Sequence, residues 1–322
     1  MTEDLLRVRS LKTIFYTTEG LVRAVDGVNF ALGKSQSVGL VGESGSGKTV
    51  TALSIMRLVP PPGRIVEGQI FFAGRDLGRL TEGQMRSIRG KEISMVFQDP
   101  MTFLNPVMRI GDQISEPVRR HQGKSEREAQ ETVLELLERV RIHSPKEIAT
   151  SYPHQLSGGM RQRVLIAMAI ACNPLLLIAD EPTTALDTTL QVQILDLLRT
   201  VAAELGSSIL LITHDLGIVA DICDAVNVMY AGRILESADV FSLYDDPLHP
   251  YTEGLLGSAL SIDQFKEKLV TIEGTVPNML DLPQGCKFHP RCPHSMGTCK
   301  TAEPVLTDVG GGHRVACWLR ES

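Results

Sequence analysis

An α/β fold built around a phosphate-binding loop is predicted by three features of the sequence. First, GESGSGKT, Gly42 to Thr49, fits G-x-x-x-x-G-K-[ST] and lies between an apolar strand, VGLV, and an apolar helix, VTALSIMRL. Second, LLLIAD at 175–180 and SILLIT at 208–213 are short apolar runs of the kind found in buried parallel strands, with a helix between them. Third, a strand-rich start gives way to helical patterning from about residue 110 to 172.

The strand-rich start consists of LLRVRSLKTIFY, AVDGVNFAL, SVGLVGES and VEGQIFFAGRDL. In the helical stretch the clearest start is Ser125. Glu128 follows three residues later as a capping box, and Ala129, Val133, Leu136, Leu137 and Val140 then recur at helical spacing. From Pro247 proline, histidine, glycine and cysteine become frequent and the periodicity fades. A boundary near residue 250 is therefore expected. It separates a first domain at 1–250, with a helical subdomain at about 99–172, from an extension at 251–322.

Composition narrows the function. Hydrophobic residues make up 43% of the 322 and charged residues 22%, ordinary values for a globular chain. A net charge of −6 argues against a nucleic-acid partner, whose binding face is usually basic. No run approaches the roughly 18 apolar residues of a membrane-spanning helix, and MTEDLLRVRS has no signal-peptide core. A cytosolic chain is expected, reaching a membrane only through a partner, in a compartment where structural disulfides are disfavoured.

Each motif carries its own chemistry. In the Gly42–Thr49 loop (Gly42, Glu43, Ser44, Gly45, Ser46, Gly47, Lys48, Thr49) the glycines let the backbone turn its N–H groups inward. The following helix N-terminus adds partial positive charge. Lys48 is expected to reach the β- and γ-phosphates of ATP and Thr49 to ligate Mg²⁺. Asp180 and Glu181 end the LLLIAD strand. Asp180 is read as a Mg²⁺ ligand and Glu181 as the group that orients or deprotonates the attacking water. Taken alone, the pair could equally be a solvated acidic strand end.

The segment LSGGMRQR, Leu156 to Arg163, places a serine and two glycines before a helix, a second anion-binding terminus. Here the sequence resembles the ATP-binding-cassette ATPases, over residues 1 to about 250. The phosphate loop, Gln98 in VFQDP, the LSGGM signature, Asp180–Glu181, ALD ending at Asp187, and His214 in ITHD occur in the family's order. The resemblance implies a mixed-sheet core, an antiparallel β subdomain and a helical subdomain. It also implies a head-to-tail dimer with ATP between one phosphate loop and the partner's Ser157, Gly158 and Gly159. Gln98 would sense Mg²⁺ and the attacking water and relay to a transmembrane partner, and His214 would contact the γ-phosphate. Tyr16 is the candidate for stacking on adenine, with Phe15 as runner-up; either could instead be a strand packing residue.

Met160 stands where the wider family usually has glutamine, and Ala179 precedes the aspartate. Both resemble the importer branch for dipeptides, oligopeptides and nickel, as do FQDPMTFLNP, YPHQLSGGM, IADEPTTALD and, after the cassette, PLHPYTEGLL. Without that resemblance the last segment reads as turns around Pro247 and Pro250 on the surface. The branch implies an ATP-hydrolysing subunit at the cytoplasmic face of the membrane, working for an importer of peptides, or alternatively of nickel or oligosaccharides. Its partners would be a second ATPase subunit (a heterodimer, or alternatively a homodimer), two permease subunits and an extracytoplasmic substrate-binding protein. A soluble cassette acting on nucleic acid or ribosomes is the rival of another class.

Cys286, Cys292, Cys299 and Cys317 are spaced C-x5-C-x6-C-x17-C, neither a usual zinc-finger nor a ferredoxin pattern. Four thiols near one another in a reducing compartment still favour a metal over disulfides. The resemblance implies a [4Fe–4S] cluster; Zn²⁺, and disulfides or free thiols, are the alternatives. The tail alone has too little apolar sequence to pack, and a metal would organise it.

Overall fold

The computed structural model describes residues 4–184, 186–260 and 272–320, and its chain divides into two compact units. One unit comprises Gly33–Gln36 and Arg79–Leu210; the other comprises Asp4–Leu32, Ser37–Gly78 and the chain from Leu211 onward.

In the first unit, strands Ile93–Val96 and Leu176–Asp180 pair in parallel, Ile93 opposite Leu176 through Val96 opposite Ala179. Every residue of both strands is buried; Leu176–Asp180 is the apolar run read in the sequence, whereas Ile93–Val96, with Ser94 inside it, carried no such signal. Helices Ile110–Gln122, Glu126–Arg139, Pro145–Thr150 and Gly158–Ile170 lie between them in the chain, and Thr188–Leu205 follows. The helix expected after Ser125 forms as read. Ser125 accepts the Glu128 N–H and the Glu128 carboxylate accepts the Ser125 N–H, while Ala129, Val133, Leu136 and Leu137 are buried.

The second unit holds two sheets. Gly20–Gly33, Asp4–Thr17, Gly63–Phe72 and Arg75–Asp76 form a four-stranded sheet in that order, with antiparallel pairing of Asp4–Thr17 to Gly63–Phe72 and of Gly63–Phe72 to Arg75–Asp76. The other runs Thr307–Gly310, His313–Val315, Arg233–Asp239, Ala225–Tyr230, Ser37–Val41. It is mixed: Ser37–Val41 pairs in parallel with Ala225–Tyr230, and the remaining pairings are antiparallel.

The C-terminal residues correct two sequence expectations. PLHPY is not a surface segment: His249 and Tyr251 are fully buried, and Pro250 opens helix Pro250–Leu260. Nor is the tail packed only by its cysteines. The Tyr230 ring meets Tyr251 at 4.7 Å and Phe288 at 5.4 Å, both edge-on, in a buried aromatic cluster. Strand His313–Val315 also joins the mixed sheet, with Val315 opposite Glu236. The fully buried Glu236 carboxylate is satisfied by three donors: the N–H groups of Leu248 (2.7 Å) and His249 (2.9 Å), and His313 Nε2 at 2.7 Å.

His249 Nδ1 accepts the Tyr251 N–H at 3.0 Å, so the ring is neutral, and burial lowers its pKa to about 3. The folded value lies below the unfolded one, near 6.5, so the unfolded chain takes up the proton first. The stabilisation from neutral His249 is therefore full above about pH 6.5 and is lost as pH falls toward 3. The unfolding midpoint should drop between pH 6.5 and 5, and less steeply in His249→Asn, which keeps an acceptor but does not titrate. Identical slopes for the two proteins would contradict this.

Candidate functional site

The phosphate-loop residues lie in the second unit. The chain leaves the Ser37–Val41 strand, turns through Gly42–Gly47 and enters helix Lys48–Ile55. Gly47 is the N-cap, at φ 103°, and Gly45 has φ 78°. A side chain is excluded at two points. A Cβ on Gly42 would lie 2.0 Å from the Met229 carbonyl oxygen, and one on Gly47 2.2 Å from that of Ala24.

Lys48 is folded over the loop. Its Nζ donates to the carbonyl oxygens of Gly42 (2.7 Å) and Glu43 (3.0 Å), and the side chain is buried. The Glu43 carbonyl also accepts the Ser46 N–H at 3.2 Å, and the Ser46 carbonyl accepts the Gly232 N–H at 2.9 Å. Ser46 Oγ is buried without a hydrogen-bond partner. A buried hydroxyl left unsatisfied in a glycine-lined cup fits a loop that receives polar ligand atoms. Ser44, Gly45 and Thr49 are exposed.

Tyr16 and His214 belong to the same unit. Tyr16 is 48% exposed at the end of strand Asp4–Thr17. Phe15 instead covers Gly63, where an added Cβ would lie 2.7 Å from its ring, so of the two candidates Tyr16 has the more open face. His214 follows strand Ser208–Thr213 and is exposed.

The first unit brings Gln98 to Glu181. Gln98 Nε2 donates to Glu181 Oε2 at 3.0 Å, and Thr184 Oγ1 donates to the same oxygen at 2.8 Å. Glu181 has φ 44°, a left-handed conformation costly for a residue with a side chain. Asp180 beside it is buried at the end of its strand. Ala179 is fully buried and pairs with Val96.

Ser157 is the N-cap of helix Gly158–Ile170 and accepts the Met160 N–H at 3.4 Å. That bond uses only the backbone of residue 160, so methionine there leaves the cap intact. A Cβ on Gly159 would lie 3.3 Å from the Leu190 side chain. Asp187 caps helix Thr188–Leu205 by accepting the Leu190 N–H at 3.0 Å, a structural duty that its sequence reading had not included. Ala185 of ALD lies outside the described residues.

The cysteines depart from expectation. Among the described residues, no group of three or more histidine, cysteine, aspartate or glutamate side chains is arranged to hold a metal ion. All four thiols are reduced, with Cys286, Cys299 and Cys317 buried. They remain neighbours. Burial, and then the proximity of Cys299, Cys317 and Cys292, pushes the Cys286 pKa up to about 11; burial also raises Cys292 and Cys317. Cys299 Sγ accepts the N–H of Met296 at 3.5 Å. Cys223, with no assigned role, is a buried thiol raised by burial to about 12.

Sequence reasoning missed Arg291 and Tyr251. Both contact Glu43 of the phosphate loop, Arg291 through two hydrogen bonds to its carboxylate and Tyr251 through the hydroxyl that accepts its N–H. The only sequence signal was indirect, an arginine and an aromatic in a tail otherwise rich in turns.

The family model described as "ABC transporter" matches residues 25–184, and "Oligopeptide/dipeptide transporter, C-terminal region" matches residues 235–299. The chain is 51% identical over 318 residues to the oligopeptide transport ATP-binding protein AppD of Bacillus subtilis, covering 98% of this chain and 97% of that one. It is 48% identical over 320 residues to the dipeptide transport ATP-binding protein DppD of the same organism, covering 99% and 96%. Among solved structures it resembles the dimeric post-hydrolysis state of the ATP-binding cassette MJ0796 bound to ADP and Pi. The TM-score is 0.66 at 26% identity, over 73% of this chain and 98% of that one. No helix among the described residues is long and apolar enough to cross a membrane.

Proposed function

The chain belongs to the ABC transporter ATPases that carry the oligopeptide/dipeptide transporter C-terminal region, and from that membership we propose that it powers a membrane importer for peptides by hydrolysing ATP. The observation that carries the reading is the Gly42–Thr49 loop. It is closed by Lys48 and sealed by two glycines, and it leaves a buried hydroxyl, Ser46 Oγ, without a partner.

The loop N–H groups and Lys48 would take the phosphates, and Tyr16 would take the adenine. Thr49, Gln98 and Asp180 are proposed to hold Mg²⁺, which supplies positive charge to the phosphate oxygens. Glu181 would hold the attacking water and accept its proton. The bonds from Gln98 and Thr184 to one of its oxygens orient the carboxylate for that task. His214 would contact the γ-phosphate. Ser157, Gly158, Gly159 and Asp187 would serve the nucleotide of a second cassette, since this chain carries one phosphate loop and one signature. A different ATPase subunit is proposed as that partner, with a second copy of this chain as the alternative. Two permease subunits would hold the pair at the cytoplasmic face of the membrane, and an extracytoplasmic binding protein would deliver the peptide. The ATPase domain is assigned to 1–250, with its helical subdomain at about 99–172, and the extension to 251–322.

For the four cysteines a [4Fe–4S] cluster remains the proposed occupant. Zn²⁺ is the alternative occupant; the choice of the cluster rests on the four cysteines and on the resemblance of the tail to that of the dipeptide-importer ATPases. The Met296 N–H donated to Cys299 Sγ suits such a site because it offsets thiolate charge.

Two outcomes are expected. Glu181→Gln should bind ATP like the parent chain, while steady-state hydrolysis by the assembled transporter falls by about 10²-fold or more; retained turnover would remove Glu181 from the mechanism. Anaerobically purified protein should contain about four irons and four sulfides per chain, lost on Cys→Ser substitution at position 286, 292, 299 or 317. Protein folded without iron would end the cluster assignment.

A further inference from the structure

The phosphate loop is braced from the tail. Glu43, its second residue, is held at both ends. Its carboxylate accepts Arg291 Nη1 at 2.6 Å and Nη2 at 3.0 Å, one on each oxygen, and its N–H donates to the Tyr251 hydroxyl at 2.9 Å. Arg291 stands in the sequence between Cys286 and Cys292, 248 residues from Glu43, and its side chain is 6% exposed. It is itself anchored. Nε donates to the Glu273 carbonyl at 3.0 Å, Nη2 approaches the Ile272 carbonyl at 3.4 Å, and the guanidinium lies over the Tyr230 ring at 5.8 Å from its centre. Tyr251 is fully buried against Tyr230 and Phe288.

A two-pronged arginine–carboxylate pair fixes angle as well as distance, so neither partner can shift alone. Glu43 is also where the loop closes on itself, because its carbonyl accepts both the Ser46 N–H and Lys48 Nζ. Displacing Glu43 therefore displaces the acceptor that holds the lysine and the turn that aims the following N–H groups. Arg291 and Tyr251 act through Glu43.

We propose that Arg291 and Tyr251 are positioning residues for the phosphate loop, so that affinity for ATP depends on the folded state of the cysteine-bearing tail; this rests on the ATP site proposed above. The coupling is reciprocal: whatever loosens the tail weakens ATP binding, and ATP in the loop steadies the tail.

The test is equilibrium binding of MgATP to the full chain, at a temperature where circular dichroism shows each variant folded. Arg291→Gln and Glu43→Gln should each weaken binding by about tenfold, within the roughly 5–150-fold span of coupled sites. The double variant should be no weaker than the worse single one, because both remove the same pair. Tyr251→Phe keeps the aromatic packing and removes only the acceptor; it should weaken binding about threefold, as expected for one hydrogen bond of modest net worth. Affinity within twofold of the parent in folded Arg291→Gln, or losses that simply add in the double variant, would overturn the proposal. If Arg291→Gln does not fold, the twofold criterion passes to Glu43→Gln, which leaves the tail's own contacts in place. Lys48→Ala separates the two readings. ATP binding lost there but unchanged in the Glu43 and Arg291 variants rejects the brace and keeps the site, whereas ATP binding unaffected by Lys48→Ala rejects the site itself.

Discussion

Two backbone carbonyls dictate the rest of the second unit. The Met229 oxygen sits where a Cβ on Gly42 would be, and the Ala24 oxygen where one on Gly47 would be. Strands Ala225–Tyr230 and Gly20–Gly33 can approach the loop this closely only because those positions have no side chain. Once they do, the loop cannot flatten. Lys48 folds back onto the Gly42 and Glu43 carbonyls. Ser46 Oγ is then buried without a protein partner, a cost of about 1–3 kcal/mol that a bound phosphate could offset.

The C-terminal segment is part of this construction. Two carboxylates tie it in, Glu236 at one point and Glu43 at the other. Glu236 is fully buried and could not stay there as a charge without several donors, since removing an ion from water costs several kcal/mol; Glu43 is part-exposed. Glu236 draws on two backbone N–H groups and His313, and Glu43 on the Arg291 fork. The aromatic cluster of Tyr230, Tyr251 and Phe288 fills the space between cassette strand and tail. In the first unit a similar economy recurs. Ser157 and Asp187 satisfy their own helix termini, and Gln98 and Thr184 hold Glu181 in a strained backbone conformation that a free strand end would not adopt.

What could be read from the sequence was local. The strand–loop–helix around Gly42–Thr49, the capping box at Ser125 and the buried strands ending at Asp180 and Thr213 follow from spacing of three or four residues, or from unbroken apolar runs. The family order of the motifs added the rest of the site residues. What escaped was long-range. Nothing near Arg291 reveals a carboxylate 248 residues away, and nothing near His313 reveals Glu236, 77 residues back. Tyr251 looked like a surface residue because the prolines around it suggested turns, whereas Pro250 opens a helix whose first residues are buried. The cysteines' clustering in sequence suggested a ligand set, and among the described residues no group of three or more such side chains is arranged to hold a metal ion.

Binding of MgATP to the purified full chain, followed by titration calorimetry, tests the account most directly. One ATP per chain, bound only when Mg²⁺ is present and displaced by ADP, is the result that a phosphate loop of this geometry requires. No heat of binding from a folded chain across the millimolar range would contradict it, and with it every role assigned to the Gly42–Thr49 loop.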